Sequence, residues 1–126
     1  MDSAWNIDDI TKQSLLYDFY GELLTKRQRE VMELYHGENL SLAEIAEEFG
    51  ISRQAVHDAL RNGQKALDGY EEKLGLVQRF LRTENAIEKI DHQILELIEK
   101  VQQGGENTDL IRQLRQIKSI IDQLEE

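Results

Sequence analysis

Not one of the 126 residues is proline. Proline ends helices more reliably than any other residue, because its ring removes a backbone donor and clashes with the preceding turn. A chain of this length normally carries several, so this one is free to run in long uninterrupted helices. The apolar spacing says that it does. Leu15, Leu16, Phe19, Tyr20, Leu23 and Leu24 recur at steps of three and four and give a first helix one apolar face. Asn6 stands where it can cap that helix, with Asp8 and Asp9 in the first turn, where the macrodipole favours acids.

Two capping boxes punctuate the next stretch of chain. Thr25-Lys26-Arg27-Gln28 stops the first helix and opens a second, and Ser41-Leu42-Ala43-Glu44 opens a third. Val31, Leu34 and Tyr35 form the inner face of the second helix, and His36-Gly37-Glu38-Asn39 reads as the turn that ends it. The third is short, with Leu42, Ile45, Ala46 and Phe49 inward. Gly50 stands where the chain must turn sharply, Ile51 plugs the turn into the core, and Ser52 caps a helix beginning at Arg53. Two helices joined by a short glycine-containing turn form a helix-turn-helix. In the fourth helix Val56, Leu60, Gly63, Leu67 and Tyr70 point inward, while Arg53, His57, Arg61 and Lys65 recur at four on another face. Gly63, Gly69 and Gly75 each weaken a helix by roughly 1 kcal/mol relative to alanine, so a break is expected between Gly69 and Gly75.

The last third differs in kind. Phe80, Ile87, Ile90, Ile94, Leu97 and Val101 follow alternating steps of three and four, with Thr83 at the missing position, which is a heptad-like seam. Gln103-Gly104-Gly105-Glu106-Asn107 is a loop, and Asn107 or Thr108 caps a final helix in which Leu110, Leu114, Ile117, Ile121 and Leu124 repeat the spacing. A short loop between two such seams implies an antiparallel hairpin. Two helices alone bury little, so the seam is expected to meet a second copy in a homodimer or to dock back on the N-terminal helices.

Composition removes several classes of function. Without cysteine there is neither disulfide nor thiol nucleophile. His36, His57 and His92 lack ligand spacing, so neither a zinc site nor a cofactor is expected. Gly104-Gly105 is an isolated pair, not a phosphate loop. Adjacent acids such as Glu47-Glu48 and Glu71-Glu72 diverge on a helix and read as solvated charges. No catalytic constellation emerges, and a binding module is expected instead of an enzyme. The N-terminus opens acidic without an apolar signal region, and no apolar run reaches the roughly 18 residues that span a bilayer. The expected address is the cytoplasm, with no membrane partner. Trp5 is expected to pack over the first helix.

The formal charge of −10 opposes nucleic-acid binding, which draws most of its affinity from neutralised phosphates. That charge is unevenly spread. Residues 1–24 hold one basic and five acidic side chains, residues 25–70 six and eight, and residues 71–126 eight and twelve. Within the middle segment, Arg53, Gln54, His57, Arg61 and Lys65 are the candidate contacts, because arginine and glutamine at the start of a recognition helix reach base edges while later cations hold phosphates. Ser52 adds a hydroxyl and a backbone N–H at the helix N-terminus, where a phosphate can dock. Lys26, Arg27 and Arg29 cluster at another N-terminus, where cations oppose the macrodipole by a few tenths of a kcal/mol; the cluster is read either as a phosphate contact or as ordinary surface charge.

Leu15-Leu16-Tyr17-Asp18-Phe19-Tyr20, Leu23-Leu24-Thr25 with Gln28, and the run from Ser41 through Gly50-Ile51-Ser52-Arg53-Gln54-Ala55-Val56 closely resemble the YlxM-like family. These are small helix-turn-helix proteins of Gram-positive bacteria, often encoded beside components of the signal recognition particle. The likeness covers residues 15–81 and includes Tyr70-Glu71-Glu72-Lys73-Leu74, although His57 stands where relatives commonly have an aromatic residue. More loosely the same stretch is similar to region 4 of sigma factors. The resemblance implies a sigma-factor region 4-like helix-turn-helix domain; together with the seam pattern it gives an expected all-α protein, that domain over 1–75, turning at about 50–52, then a C-terminal antiparallel helical hairpin over 76–126. It also implies an accessory or regulatory role through the particle's RNA or its GTPase. A DNA-binding transcriptional regulator acting as a dimer and a protein–protein adaptor without nucleic-acid contact remain the alternatives.

Overall fold

The computed structural model describes residues 7–104 and 108–124. It is all-α, with α1 (Asp9–Tyr20), α2 (Lys26–Met32), α3 (Leu42–Phe49), α4 (Arg53–Leu74), α5 (Leu76–Gln103) and α6 (Thr108–Leu124), and no strand among the described residues. The chain divides into two compact units, Met1–Gln78 and Arg79–Glu126.

In the first unit α1 is capped by Asp8, whose carboxylate accepts the Thr11 N–H at 2.7 Å. The expected cap, Asn6, and Trp5 lie outside the described residues. Only a narrow stripe of this helix is buried, through Leu16 and Tyr20, with Leu24 following. Phe19 and Leu23, expected inward, are exposed. A 3₁₀ turn at Gly21–Leu23 tightens the chain to three residues per turn, which carries Leu23 out of line with Leu16 and Tyr20. The Thr25–Gln28 capping box then forms with both of its hydrogen bonds.

Helix α2 widens at its end into a π turn over Glu33–Gly37. The extra residue in that turn rotates Tyr35 outward, contrary to the expectation, and Met32 is buried beside Val31 instead. Gly63 sets how closely this helix approaches α4. A Cβ there would lie 2.9 Å from Met32 Cε, so the missing side chain lets α2 close onto α4. The glycine that weakens α4 as a helix is thus what permits its tightest packing. Val31, Ile45, Ala46 and Val56 form the resulting core, with Leu34, Leu40, Phe49, Ile51 and Leu60 packed around them. Each fully buried aliphatic side chain contributes roughly 1.5–3 kcal/mol.

The largest departure from expectation is Glu71, which is buried and not solvated. Helix α4 ends at Leu74, and Gly75 takes the left-handed conformation at φ +63° before α5 begins at once. That leaves the first N–H groups of α5 without helical partners. Glu71 Oε1 accepts from the Val77 N–H at 3.0 Å and Oε2 from the Gln78 N–H at 3.1 Å. The Tyr20 hydroxyl donates to Glu71 Oε1 at 2.6 Å and accepts from the Leu76 N–H at 3.1 Å. The carboxylate also faces the positive end of the α5 dipole. Glu72, its neighbour, is exposed.

In the second unit α5 and α6 pair around Ile94, Ile98, Leu114 and Ile121, with Ile87 and Ile111 beside them. The hairpin is as expected, but its seam is displaced by one residue in four places, Ile111 standing where the spacing puts Leu110. Ile98 is buried where the spacing puts Leu97, Asp91 replaces Ile90, and Lys118 replaces Ile117; Ile90, Leu97, Leu110 and Ile117 are all partly exposed. Opposite charge explains the choice, since Lys118 Nζ lies 3.2 Å from Asp91 Oδ1 and also bonds Asp122. The Asp91 contact is an ion pair without hydrogen-bond geometry, which leaves Oδ1 buried without a hydrogen-bond donor. Gly105, Glu106, Asn107 and the side chain of Leu124 lie outside the described residues.

Replacing Glu71 by alanine strands the Val77 and Gln78 N–H groups and the Tyr20 hydroxyl, and is expected to lower stability by about 3 kcal/mol in urea unfolding. High pH provides a second check. Burial and the hydrogen bond to Glu33 push the Tyr17 hydroxyl up to about 12, and burial followed by the Glu71 bond raises Tyr20 as well. Tyr17 stays protonated in the fold at a pH where unfolded tyrosines, near 10.0, have lost their protons, and Tyr20 is shifted the same way. The Tyr17 contribution is therefore complete below pH 10 and is lost as pH rises from 10 toward 12, and that of Tyr20 falls in the same direction. Urea midpoints measured across that interval are expected to fall, and less steeply in Tyr17→Phe.

Candidate nucleic-acid interface

The candidate surface is built by the turn between α3 and α4. Ser41 and Glu44 exchange both bonds of a capping box at the start of α3. At its end Gly50 adopts φ +67°, a conformation that costs other residues about 1 kcal/mol or more. This brings the Ile51 N–H within 3.0 Å of the Ala46 carbonyl and seats Ile51 against the core. Ser52 then caps α4 by accepting the Ala55 N–H at 3.0 Å. The direction of α4 is thus fixed by hydrogen bonds on both sides of a three-residue turn.

On that helix Val56 and Leu67 are buried and Gly63 faces α2, while Arg53, Gln54, His57, Arg61 and Lys65 are all exposed. Four-residue steps drift slowly around a helix, so the five side chains form one oblique stripe. It holds three full cations, Arg53, Arg61 and Lys65, on a chain that is otherwise acidic.

Asp58 lies within the stripe and engages its neighbours. Gln54 Nε2 donates to Asp58 Oδ1 at 3.0 Å, Arg61 Nη2 lies 3.5 Å from the same oxygen, and His57 Nδ1 lies 3.8 Å away. All are exposed enough that such pairs are worth at most about 1 kcal/mol. Their effect is on readiness: Gln54 and Arg61 must release Asp58 before meeting an outside acceptor. Arg53 and Lys65 form no ion pair among the described residues.

The second basic cluster is dispersed. Arg27 stacks on the Phe49 ring of α3, its guanidinium carbon 4.7 Å from the centroid, a cation–π contact. Arg29 is half-buried and close enough to Tyr17 to act on its hydroxyl. Residues two apart project from different sides of a helix, so the charges that adjoin in sequence separate in space. Lys26 is exposed at the first turn. Ser52 Oγ is already engaged by the Ala55 N–H. Among the described residues no group of three or more acidic or histidine side chains is placed to hold a metal ion, and no helix is long and apolar enough to cross a membrane.

A family model described as "Putative helix-turn-helix protein, YlxM / p13 like" (UPF0122) matches residues 7–126. The chain is similar to a UPF0122 protein of Thermoanaerobacter sp. strain X514, at 42% identity over 82% of this chain and 98% of that protein. It is 38% identical to a UPF0122 protein of Acetivibrio thermocellus, over 95% of this chain and 97% of the relative. A UPF0122 protein of Desulforamulus reducens is 51% identical over 63% of this chain and 68% of its own length.

Neutralising Asp58 tests whether the stripe is a phosphate-facing surface. Asp58→Asn removes the interposed anion and frees Arg61, so affinity for a short nucleic-acid duplex at low salt is expected to rise several-fold in a fluorescence-anisotropy titration. An unchanged affinity would separate the stripe from phosphate contact.

Proposed function

This chain belongs to the UPF0122 family of helix-turn-helix proteins, and from that premise we propose that it is a nucleic-acid- or ribonucleoprotein-binding module, not an enzyme. Its partner is the signal recognition particle, met through the particle's RNA with its GTPase alongside, and its role there is accessory or regulatory in the cytoplasm. The observation that carries the reading is the exposed stripe of Arg53, Gln54, His57, Arg61 and Lys65 on a helix whose start is fixed by Gly50 and Ser52. Lys26 supplies a further phosphate contact, and Ser52 offers a helix N-terminus beside Arg53. Arg27 and Arg29 contribute only after leaving Phe49 and the neighbourhood of Tyr17. The particle, as distinct from bare DNA, follows from the YlxM-like resemblance and from charge. A chain of −10 is repelled by a naked duplex, whereas acidic flanks speed encounter with a basic RNA-binding protein.

A second reading, an adaptor binding protein alone, is favoured by a groove of about 820 Å³ in the first unit. Ile10, Met32 and Leu40 contribute apolar lining, and Asp18, Glu33 and Glu44 contribute carboxylates, which suits a cationic partner.

One experiment separates these readings. Binding to signal recognition particle RNA is expected at low salt and to weaken steeply as salt rises. The triple variant Arg53→Ala, Gln54→Ala, Arg61→Ala is expected to lose at least about tenfold in affinity. Equal binding of RNA and DNA by parent and triple variant overturns the recognition-helix reading. Retention of the particle's protein by that variant, in a low-salt pull-down scored for both RNA and protein, selects the adaptor.

A further inference from the structure

The displaced seam of the hairpin leaves one of its sides in an unusual state. Seam positions are Ile87, Asp91, Ile94, Ile98 and Val101 on α5, and Ile111, Leu114, Lys118 and Ile121 on α6. Each helix therefore has two flanks. Residues that directly follow a seam position, Leu95 and Gln102 on α5 with Arg115 and Asp122 on α6, line a single groove. That groove puts these flanks of both helices on one side, the side that also carries the Lys118–Asp122 pair. Residues that directly precede a seam position must then share the opposite side. Nearest the seam these are Ile90 and Leu97 on α5, and Leu110 and Ile117 on α6, each between 43% and 48% exposed, while Ala86, Gln93, Lys100, Gln113 and Ile120 lie farther out on the same side. The four nearest the seam are all aliphatic.

We propose that this side is covered by a second copy of the chain, the two hairpins closing face to face into a four-helix bundle. Size supports it. The 17 residues of α6 extend about 25 Å, and two helices side by side span about 20 Å, so the face offers roughly 500 Å² per copy and roughly 1,000 Å² in all, the lower bound for a specific interface. Charge selects the occupant. Every side chain of the four-residue strip is neutral, so two copies meet there without the repulsion that a net charge of −10 imposes elsewhere. A partner drawn by the acidic surface would need carboxylates at the contact, and the strip has none. The hairpin also needs the burial. Among the described residues its core holds only Ile94, Ile98, Leu114 and Ile121 as buried side chains, the chain has no cysteine to staple it, and helical units this small gain stability by associating.

The test is the mass of the full chain by sedimentation equilibrium at micromolar concentration, where twice the 14.7 kDa of one chain is expected. A monomer overturns the proposal, whether the strip is bare, docked on its own chain or reserved for another protein. The double variant Ile90→Glu, Ile117→Glu is expected to be monomeric with an unchanged far-ultraviolet helical signal. If it remains dimeric, the interface lies elsewhere and the proposal fails. Should that variant lose helicity, the single change Ile117→Gln decides. A dimer dissociation constant raised at least about tenfold supports the face, and an unchanged constant overturns it.

Discussion

The first unit depends on a carboxylate taken out of water. Glu71 closes the junction where α4 stops and α5 starts without an intervening loop, a place that strands backbone donors at a helix N-terminus. Its two oxygens take the Val77 and Gln78 N–H groups, and the Tyr20 hydroxyl links the cluster to α1. One side chain thus joins the end of α4 and the start of α5 to α1, whose Tyr20 lies 51 residues before Glu71. Val77, fully buried, adds the apolar half of the same closure. The unit therefore includes the first residues of α5, and a cut at Gly75 would pass through its core.

The exposed stripe on α4 is held under the opposite condition. Its side chains are exposed, weakly held and few, and the scaffold contributes only direction. Gly50, Ile51 and Ser52 fix how α4 leaves the turn, and Gly63 fixes how closely α2 backs it. A surface with three cations and one interposed acid has modest phosphate affinity. Under the function proposed above, it positions side chains against a partner that supplies further contacts.

Much of this fold is legible in the residues. Capping boxes, the turn glycine and the Ser52 cap are local, and local hydrogen bonds obey spacing alone, so the helix-turn-helix emerges without reference to tertiary contacts. The exposed stripe comes from the same periodicity. What fails needs knowledge of neighbours. Glu71 reads as half of a solvated pair because nothing in Glu71-Glu72 reveals that Tyr20 lies across from it. Tyr35 reads as inward because a π turn leaves no mark in a 3.6-residue pattern. Arg27 and Arg29 read as a cluster because adjacency in sequence hides divergence on a helix. In α5 two overlapping apolar rows fit equally well, and only the partner helix can choose between them.

That choice has a consequence for how the hairpin is specified. A seam made only of leucine and isoleucine can slide by a heptad at little cost, since each layer resembles the next. Asp91 and Lys118 remove that freedom. Any slide separates them and sets Asp91 against aliphatic neighbours, while Lys118 keeps only its bond to Asp122. Register is thus written into the helices themselves. The connection between them is relieved of that duty, and its length can vary without moving Ile94 or Leu114 out of the core.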